Sequence, residues 1–413
     1  MKNVIYCKKC LYTSSHPFGI TFNENGICSG CQVHEEKNSL DWDNRLDELK
    51  NLTNKYKSKT KKNYDCIVPI SGGSDSYFIV HIVKNILRLN PLLVCNNKYF
   101  NTEIGIKNLT NLRIKFDADI LIQNLNINTV KKITKFTLSE FGNIYWPIIA
   151  GQTVYPVQMA IKYEIPLIIW GANQGLEQVG MYSHLHNVEM SRRYREDHDL
   201  FGNDAIEMKN IKSNLSENDI FNYLYPDDKL INKIGVRGIY LGNYIKWDPT
   251  KQHNLMVKKF NYRTMKFKRT FDVFDHVDCF NYMNVHDILK LYKHGYSKVT
   301  DHACREIRHG RLTKNNAIDL VKYYEKQKII PPKHLADWLE IDLKSLNFIF
   351  NQFKNKKFWK KKNIDNWKFN GLNDGQKKNI EPKYKKTIFS YFKSKNKHSD
   401  IPRSKYIIFG KGI

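Results

Sequence analysis

The chain has 413 residues, a formal net charge of +26 and a hydrophobic content of 41%, so it is long enough for two or three domains with hydrophobic cores. Its mean hydropathy of −0.56 and the lack of any apolar run near the roughly 20 residues that span a bilayer argue against an integral membrane protein. The first residues, MKNVIYCKKC, contain no apolar core of a signal peptide, and we therefore expect a cytoplasmic protein with reduced cysteines.

Two cysteine pairs come first along the chain. Cys7 and Cys10 form one C-x2-C pair, and Cys28 and Cys31 form a second pair after a gap of seventeen residues. This spacing is typical of a zinc site in which four thiolates surround one tetrahedral ion, so the predicted role is structural. Residues 1–35 are too few to build a core, and the metal would supply the folding free energy. A disulfide pair and an iron–sulfur cluster are the alternative interpretations.

A glycine-rich turn at residues 71–76, with the sequence SGGSDS, follows the first predicted strand. The strand covers Cys66–Ile70, which is short, apolar and largely β-branched, and a helix is predicted from 76 to 89. This order predicts a phosphate-binding turn, because glycine lets the backbone approach an anion and the helix N-terminus presents free N–H groups. The turn lacks the Gly-Lys-Ser/Thr of a Walker A loop, and an ordinary Gly-Ser turn is the alternative.

Three more buried strands alternate with helices downstream, and this order predicts a doubly wound α/β fold with a parallel sheet. The predicted strands are Pro91–Cys95, Asp119–Ile122 and Ile165–Trp170. Ligands bind outside the carboxyl ends of parallel strands, so Asn96 is a candidate for contact with adenine or ribose. An ordinary connection is the alternative for the loop after the last strand. Its candidates for contact with the nucleotide, a metal or the substrate are Gly171, Asn173 and Glu177.

From about residue 205 the pattern changes to helices that are separated by aromatic and basic loops. The sequence from Asp301 onward places His302, Arg305 and Arg308 close to one helical face. Such a group suits a phosphate or a sugar diphosphate, and a solvated basic surface is the equal alternative. We divide the chain into a zinc knuckle (1–35), an α/β domain (36–204), a mainly helical substrate or partner domain (205–350) and a basic extension (351–413).

The basic extension contains 18 Lys and Arg residues against 4 Asp and Glu residues. A basic segment that also carries aromatic residues is able to bind nucleic acid, an anionic membrane surface or an acidic partner. A solvated appendage is the alternative that we favour, because lysine, asparagine and isoleucine are abundant throughout the chain. Peripheral membrane contact through this extension stays open, and a nucleic-acid partner is not expected.

The SGGSDS turn resembles the signature of the PP-loop ATP pyrophosphatases, which cleave ATP between the α- and β-phosphates. The chain then carries WGAN at 170–173, IKWDP at 245–249 and GYSKVTDHACREIRHGR at 295–311. Together with the cysteine pairs, this order is similar to the N-acetyl sugar amidotransferase family of bacterial LPS, O-antigen and flagellin-glycan pathways. The resemblance covers about residues 1–340 and implies an ATP-dependent enzyme that converts a sugar acetamido group into an acetamidino group.

The resemblance also implies roles for individual residues. Asp75 would help to hold Mg²⁺. From residue type alone, Lys246, Arg305 or Arg308 would stabilise phosphate charge. The pyrophosphate of ATP would bind the rest of the turn, at Ser71, Gly72, Gly73, Ser74 and Ser76. The sugar substrate would contact Trp247, Asp301, His302 and Arg308.

Ammonia for such a reaction is made from glutamine, and the chain shows no glutaminase nucleophile. Residue 2 is lysine, which excludes the processed N-terminal cysteine type, and no Gly-x-Cys-x-Gly sequence is present. We therefore expect a separate glutaminase subunit, a cyclase-like subunit that channels ammonia, and an N-acetylated, nucleotide-activated sugar as substrate. A PP-loop enzyme that modifies tRNA, by thiolation or lysidine formation, is the alternative function, and a non-catalytic scaffold is the third.

Overall fold

A five-stranded parallel sheet forms the centre of the structure. The computed structural model describes residues 4–60, 62–210, 214–327, 332–363 and 367–371. The strands are β1 (Cys66–Pro69), β2 (Pro91–Asn96), β3 (Ile120–Gln123), β4 (Leu167–Trp170) and β5 (Arg237–Tyr240). They lie in the order β3-β2-β1-β4-β5, and every neighbouring pair is parallel. The strand order reverses between β1 and β4, so the structure confirms the predicted doubly wound sheet.

The α-helices of the described residues fall into three groups. The first group surrounds β1 to β3 and leads to β4: α1 (Ser29–Glu36), α2 (Trp42–Asn54), α3 (Ser74–His81), α4 (Glu103–Phe116), α5 (Ile127–Phe141) and α6 (Trp146–Lys162). The second group flanks β5: α7 (Arg192–Tyr194), α8 (Ala205–Asn210), α9 (Glu217–Ile220), α10 (Asp228–Ile234) and α11 (Pro249–Phe260). The third group is the helical region: α12 (Phe280–His294), α13 (Lys298–Arg308), α14 (Lys314–Glu325), α15 (Lys333–Leu339) and α16 (Leu343–Gln352). Within the part of the chain that the structure describes, no helix has the length and apolar character needed to cross a membrane.

The helix after the SGGSDS turn is shorter than the predicted helix of residues 76–89. Helix α3 ends at His81 and continues as a π-helical turn, Ile82–Ile86. A second π-helical turn, Gly175–Val179, follows β4, and a third, Arg195–Asp199, follows α7. Such turns are frequent at functional sites, and the second one lies in the loop that the sequence singles out after β4.

Strand β5 corrects the expectation that the second half of the chain holds only helices and loops. A β-carbon on Gly238 would lie 2.8 Å from Cβ of Met190, so only glycine lets these two segments pack. The Arg237 guanidinium pairs through Nη2 with Glu189 Oε1 at 2.6 Å. A four-residue strand that begins with Arg-Gly lacks the apolar run that marks the other strands, and its pairing with β4 defines it instead.

The amino-terminal knuckle packs against the helical region. Its side chains Leu11, Tyr12 and Ile20 share one buried cluster with Val299 and Ala303 of α13. Burial of apolar surface contributes roughly 25 cal/mol per Å², so the knuckle and α13 stabilise each other.

Part of the predicted basic extension is folded. Strands β6 (Trp359–Lys361) and β7 (Trp367–Phe369) form an antiparallel hairpin. The indole Nε1 of Trp359 donates to the carbonyl of Leu291 at 3.2 Å, and its ring lies 4.9 Å from that of Tyr292. The hairpin therefore packs on α12, whereas residues 372–413, which carry most of the lysines and arginines of the extension, lie outside the described residues.

Candidate active site

The SGGSDS turn lies at the carboxyl end of β1 and starts α3. Gly72 has a φ of +81°, a left-handed conformation that glycine adopts without strain. Within the turn the N–H of Ser71 donates to Ser76 Oγ at 2.9 Å, and the N–H of Gly73 donates to Ser71 Oγ at 3.2 Å. Two hydroxyls therefore hold the turn in shape, and the N-terminus of α3 borders a cavity where its free N–H groups are able to meet an anion.

This main cavity has a volume of about 500 Å³, within the range of small-molecule sites. The turn forms one wall, through Ser71, Gly73, Ser74 and Asp75. The loop after β4 forms a second wall, through Glu177 and Gln178. The helical region forms a third wall, through Asp275, His276, Lys298, Asp301, His302, Arg305 and Arg308. The structure thus brings together candidate residues from three distant parts of the sequence.

Asp75, the predicted magnesium ligand, contacts a histidine of α11. Asp75 Oδ1 lies 2.8 Å from His253 Nε2, and Nδ1 of the same ring lies 3.9 Å from Asp275 Oδ1. Burial lowers the pKa of His253, but the carboxylates of Asp75, Asp275 and Asp272 outweigh burial and raise it above its ordinary value. His253 therefore lies between the carboxylates of Asp75 and Asp275, and the Asp75 side chain, which is 45% exposed, stays accessible to a cation.

The Arg305 guanidinium, predicted to contact phosphate, is held by three carboxylates. Its Nη1 donates to Asp275 Oδ2 at 3.0 Å, its Nη2 donates to Asp272, and its Nε donates to Glu306 Oε1 at 2.8 Å. Burial raises the pKa of Asp275, but Arg305 and His302 hold it well below its usual range. The ligand atoms of Asp272, Asp275 and His302 lie within 4.8 Å of one another, and Arg305 offsets part of the negative charge of the two carboxylates. Arg305 therefore fixes an acidic cluster on the cavity wall.

Asp301 and His302, predicted to contact the substrate, both line the main cavity and both have protein partners. Asp301 accepts a hydrogen bond from the Tyr12 hydroxyl at 2.9 Å and pairs with Lys290. Burial raises the pKa of Asp301, but Lys290 holds it well below its ordinary value. His302 Nδ1 lies 2.7 Å from Thr270 Oγ1. These contacts fix both side chains, and Tyr12 ties the wall to the knuckle.

Arg308 joins the knuckle to the loop after β4. Its Nη1 donates to the backbone carbonyls of Glu177 and Gln178 at 3.1 and 2.8 Å, and its Nη2 lies 3.9 Å from Cys28 Sγ. Glu177 in turn forms a buried ion pair with Lys37, a lysine that no sequence motif marks. Arg308 therefore orients the loop that carries Glu177, whereas the sequence predicts a contact with substrate.

The neighbours Lys246 and Trp247 have different surroundings. Trp247 is buried against Phe78, with ring centroids 5.5 Å apart, and it lines the main cavity. Lys246 is exposed, is absent from the cavity lining, and places its Nζ 3.2 Å from Asn38 Oδ1. The structure therefore does not bring Lys246, predicted to be catalytic, to the turn.

Asn96 lies in a smaller recess beside the turn. The recess has a volume of about 140 Å³ and is also lined by Ser71, Ser76 and Trp170. The Asn96 side chain is buried, and its Oδ1 has no hydrogen-bond partner among the described residues. An unsatisfied buried acceptor costs free energy, so Asn96 stays a candidate for contact with a nucleotide.

Gly171 and Asn173 serve the local structure after β4. A β-carbon on Gly171 would lie 2.8 Å from Ile79 Cδ1, so this glycine allows α3 to pack on the sheet. Asn173 is buried, and its Oδ1 accepts a hydrogen bond from the N–H of Leu176 at 3.3 Å. Neither residue lines the main cavity, and both instead shape the π-helical turn that carries Glu177.

A buried ion pair that the sequence reasoning missed lies beside the turn. The side chains of Lys98 and Asp278 are 7% and 5% exposed, and both residues line the main cavity. Burial lowers the pKa of Lys98, but the Asp278 carboxylate outweighs it, and the pKa rises. A β-carbon on Gly73 would lie 3.3 Å from Asp278 Oδ1, so the pair abuts the turn. Lys98 follows the tip of β2, a position that marks ligand sites in parallel sheets.

Replacement of Lys98 by alanine is expected to destabilise the protein by about 3–5 kcal/mol, because the Asp278 carboxylate would stay buried without its cation. The free energy of unfolding is measured by urea denaturation. Lys107→Ala is the control, since Lys107 is exposed and pairs with Glu103 on the surface of α4, and its midpoint is expected to match the wild type. Equal midpoints for Lys98→Ala and the wild type would contradict the prediction.

The four amino-terminal cysteines converge as predicted. The sulfur atoms of Cys7, Cys10, Cys28 and Cys31 all lie within 4.8 Å of one another, and all four residues are buried. The N–H groups of Cys10 and Cys28 donate to Cys7 Sγ at 3.4 and 3.3 Å. All eight cysteines are free of disulfides. Four converging sulfurs, with backbone N–H groups that donate to Cys7 Sγ, fit a tetrahedral metal ion bound by thiolates.

One comparison with known proteins bears on the helical region. Residues 252–373 match the family model of the WbpG-like LPS biosynthesis proteins, C-terminal domain. This range contains the cavity wall that faces the SGGSDS turn, including Asp275, Asp278, His302 and Arg305. The match also extends beyond residue 350, where the sequence alone shows no resemblance, and it includes the β6–β7 hairpin.

Two further comparisons find a curated relative and a solved structure. A curated protein of Methanocaldococcus jannaschii, named uncharacterized protein MJ1599, is 30% identical over 122 residues, which are 29% of this chain. The chain spans 42% of the length of that relative. The solved NH3-dependent NAD synthetase from Campylobacter jejuni, in complex with the nitrate ion, shares 14% identity over 47% of this chain and 82% of that chain. Its TM-score of 0.27 is too low to support a comparison of sites. The family match over residues 252–373 supports the resemblance, predicted from the sequence, to enzymes of LPS pathways.

Proposed function

We propose that the protein is an ATP-dependent amidotransferase of LPS or O-antigen biosynthesis that converts the N-acetyl group of a sugar into an acetamidino group. The observation that supports this most is the single cavity between the SGGSDS turn and the WbpG-like domain. The turn suits the phosphates of ATP, and the family name points to a sugar as acceptor. ATP and the acceptor amide accordingly share one chamber, in the cytoplasm where ATP is available.

The proposed reaction activates an amide carbon, which is a poor electrophile. The amide oxygen attacks the α-phosphorus of ATP, the bond from that phosphorus to the β-phosphate oxygen breaks, and pyrophosphate leaves. Ammonia attacks the O-adenylated carbon, loses one proton and expels AMP, and the cationic amidine remains. Positioning of the reactants and stabilisation of phosphate charge supply most of the catalysis.

The turn and the helical region have separate tasks in this reaction. The N–H groups at the start of α3 bind the pyrophosphate, and Asp75 would hold Mg²⁺, which would neutralise phosphate charge. His253 orients the Asp75 carboxylate through the 2.8 Å contact. Lys298, which is 22% exposed and lines the main cavity, supplies a cation near the phosphates.

The ammonia is proposed to come from a separate glutaminase through a cyclase-like subunit. The chain has no Gly-x-Cys-x-Gly sequence. Of the four buried cysteines outside the amino-terminal cluster, Cys66, Cys95, Cys279 and Cys304, Cys279 alone lines the main cavity, and burial raises its pKa to about 11, which disfavours the reactive thiolate. Both observations support a partner as the source of ammonia. The amino-terminal cluster is proposed to hold a structural zinc ion, because four thiolates leave no coordination position open for water.

Pyrophosphate release from ATP, with ammonium chloride as the nitrogen source, tests the proposal. The acceptors are UDP- and CMP-linked N-acetyl sugars and bulk tRNA, and the products are analysed by mass spectrometry. We expect release that depends on one of the sugars and a sugar product in which NH replaces one oxygen. Release that requires tRNA would overturn the sugar proposal. Activity of the isolated chain with glutamine would overturn the separate glutaminase.

A further inference from the structure

A second cavity, the side cavity, lies in the helical region and has a volume of about 440 Å³. Both carboxylates in its wall are engaged, Asp275 by Arg305 and Asp287 by Arg269. The basic residues of the wall are more numerous: Lys266, Lys268, Arg269, Lys298 and Lys333. Arg269 pairs with Asp287, and Lys298 Nζ lies 3.7 Å from Asp301 Oδ2. The excess positive charge of the wall therefore comes from the exposed lysines Lys266, Lys268 and Lys333.

Arg269, in the wall of the side cavity, is held in place by two hydrogen bonds and keeps one nitrogen without a partner among the described residues. It is 9% exposed. Its Nε donates to Asp287 Oδ2 at 2.7 Å, and its Nη1 donates to the carbonyl of Gln327 at 3.0 Å. Its Nη2 is buried and has no hydrogen-bond partner among the described residues. An unsatisfied buried guanidinium N–H costs free energy, and an anionic oxygen of a ligand would remove that cost.

Apolar side chains complete the side cavity. The rings of Phe267 and Phe280 lie 4.9 Å apart, and Met283 and Pro332 lie beside them in the wall. Aromatic and apolar surface next to a few convergent cations is typical of sites for ligands that combine an anionic group with a ring or a hydrocarbon chain.

The side cavity and the main cavity share one wall. The shared residues are Asp275, His276, Met283, Lys298 and His302. These five residues lie between the two spaces, so a ligand that reached from one cavity into the other would pass Lys298 and His302.

We propose that the side cavity binds the diphosphate group of an organic diphosphate, the activated acceptor, so that its N-acetyl sugar reaches ATP in the main cavity. The identity of the sugar end rests on the proposed function, whereas the diphosphate site does not depend on catalysis. Nucleoside diphosphates and prenyl diphosphates share this chemistry, since each joins a diphosphate to an aromatic or apolar group that suits Phe267 and Phe280.

Calorimetric titration of the full chain with UDP tests the site while the α,β-methylene analogue of ATP saturates the main cavity. We expect UDP to bind under these conditions, and Lys266→Ala/Lys268→Ala to weaken binding about tenfold or more, because charged hydrogen bonds are lost. The matched control is Lys258→Ala/Lys259→Ala, on the exposed face of α11 and outside both cavities, and we expect it to bind UDP like the wild type.

Titrations with geranyl diphosphate and UDP in parallel distinguish the two sources of the diphosphate. Tighter binding of UDP assigns the site to nucleoside diphosphates, tighter binding of geranyl diphosphate assigns it to lipid-linked acceptors, and either result supports the proposal. Loss of UDP binding in the presence of the ATP analogue, or equal UDP binding by the two double variants, overturns it. Because these titrations involve no turnover, their failure is distinct from a failure to form the amidine.

Discussion

Cys28→Ser is expected to remove the bound metal and to unfold the amino-terminal knuckle. Structural zinc contributes roughly 10–16 kcal/mol of apparent binding free energy in small zinc domains, and a serine hydroxyl does not replace a thiolate ligand. The knuckle shares a buried cluster with α13, and Arg308 lies 3.9 Å from Cys28 Sγ, so the change also reaches the cavity wall. We expect the purified variant to contain almost no zinc and to melt at a lower temperature.

Cys66→Ala is the control that distinguishes the effect of losing the metal from the effect of losing core packing. Cys66 is fully buried in β1 and lies outside the cysteine cluster, so the substitution leaves a small cavity and lowers the melting temperature. Its zinc content, measured by elemental analysis, is expected to equal that of the wild type. A Cys28→Ser protein with the full zinc content would contradict the four-thiolate site.

Asp75→Asn is expected to slow acceptor-dependent pyrophosphate release by about 10²–10³-fold, the size of effect that follows loss of one electrostatic contact at a reacting group. Asparagine keeps the shape of the side chain but not the negative charge that we propose to hold Mg²⁺. Lys251→Ala is the control, because Lys251 is 83% exposed on the same helix as His253, and its rate is expected to match the wild type. An unchanged rate in Asp75→Asn would contradict the proposed role of the Asp75 carboxylate in the reaction.

The same variant has a consequence for the pH dependence of stability. Burial lowers the pKa of His253, but the carboxylates led by Asp75 raise it above its ordinary value, so the folded state binds this proton more tightly than the unfolded state. The resulting stabilisation is complete below the pKa of the unfolded histidine and is lost as the pH rises through the folded pKa. We expect Asp75→Asn to reduce that loss, as measured by urea unfolding at a series of pH values.

The fold is predictable from sequence where neighbouring residues determine it. Strand β1, the SGGSDS turn and α3 form from one continuous stretch, in which an apolar run, glycines and helical spacing act locally. Strand β5 is different, because Arg237–Tyr240 has no apolar run and becomes a strand through its pairing with β4. Tertiary contacts override local propensity there, and a single sequence does not reveal them.

The residues of the candidate site also fall into a group that is predictable from sequence and a group that is not. Asp75 and the rest of the turn are adjacent in sequence, so one motif indicates all of them. His253, Asp275 and Lys37 come from separate segments, and no spacing rule connects them to the turn. Lys98 could have been predicted as a site residue, because it follows the carboxyl end of β2. The same rule selects Asn96. The chemical roles of these residues stay predictions that the assays above test.

The contact between the knuckle and α13 joins two segments that are synthesised at very different times. The knuckle leaves the ribosome before the helical region, and the buried cluster that includes Leu11 and Ile20 also includes Val299 and Ile307, which are made far later. A metal ion is able to close the cysteine cluster early, yet it does not cover this apolar face. The growing chain therefore exposes an apolar patch during most of its translation, and such patches favour aggregation of incomplete chains.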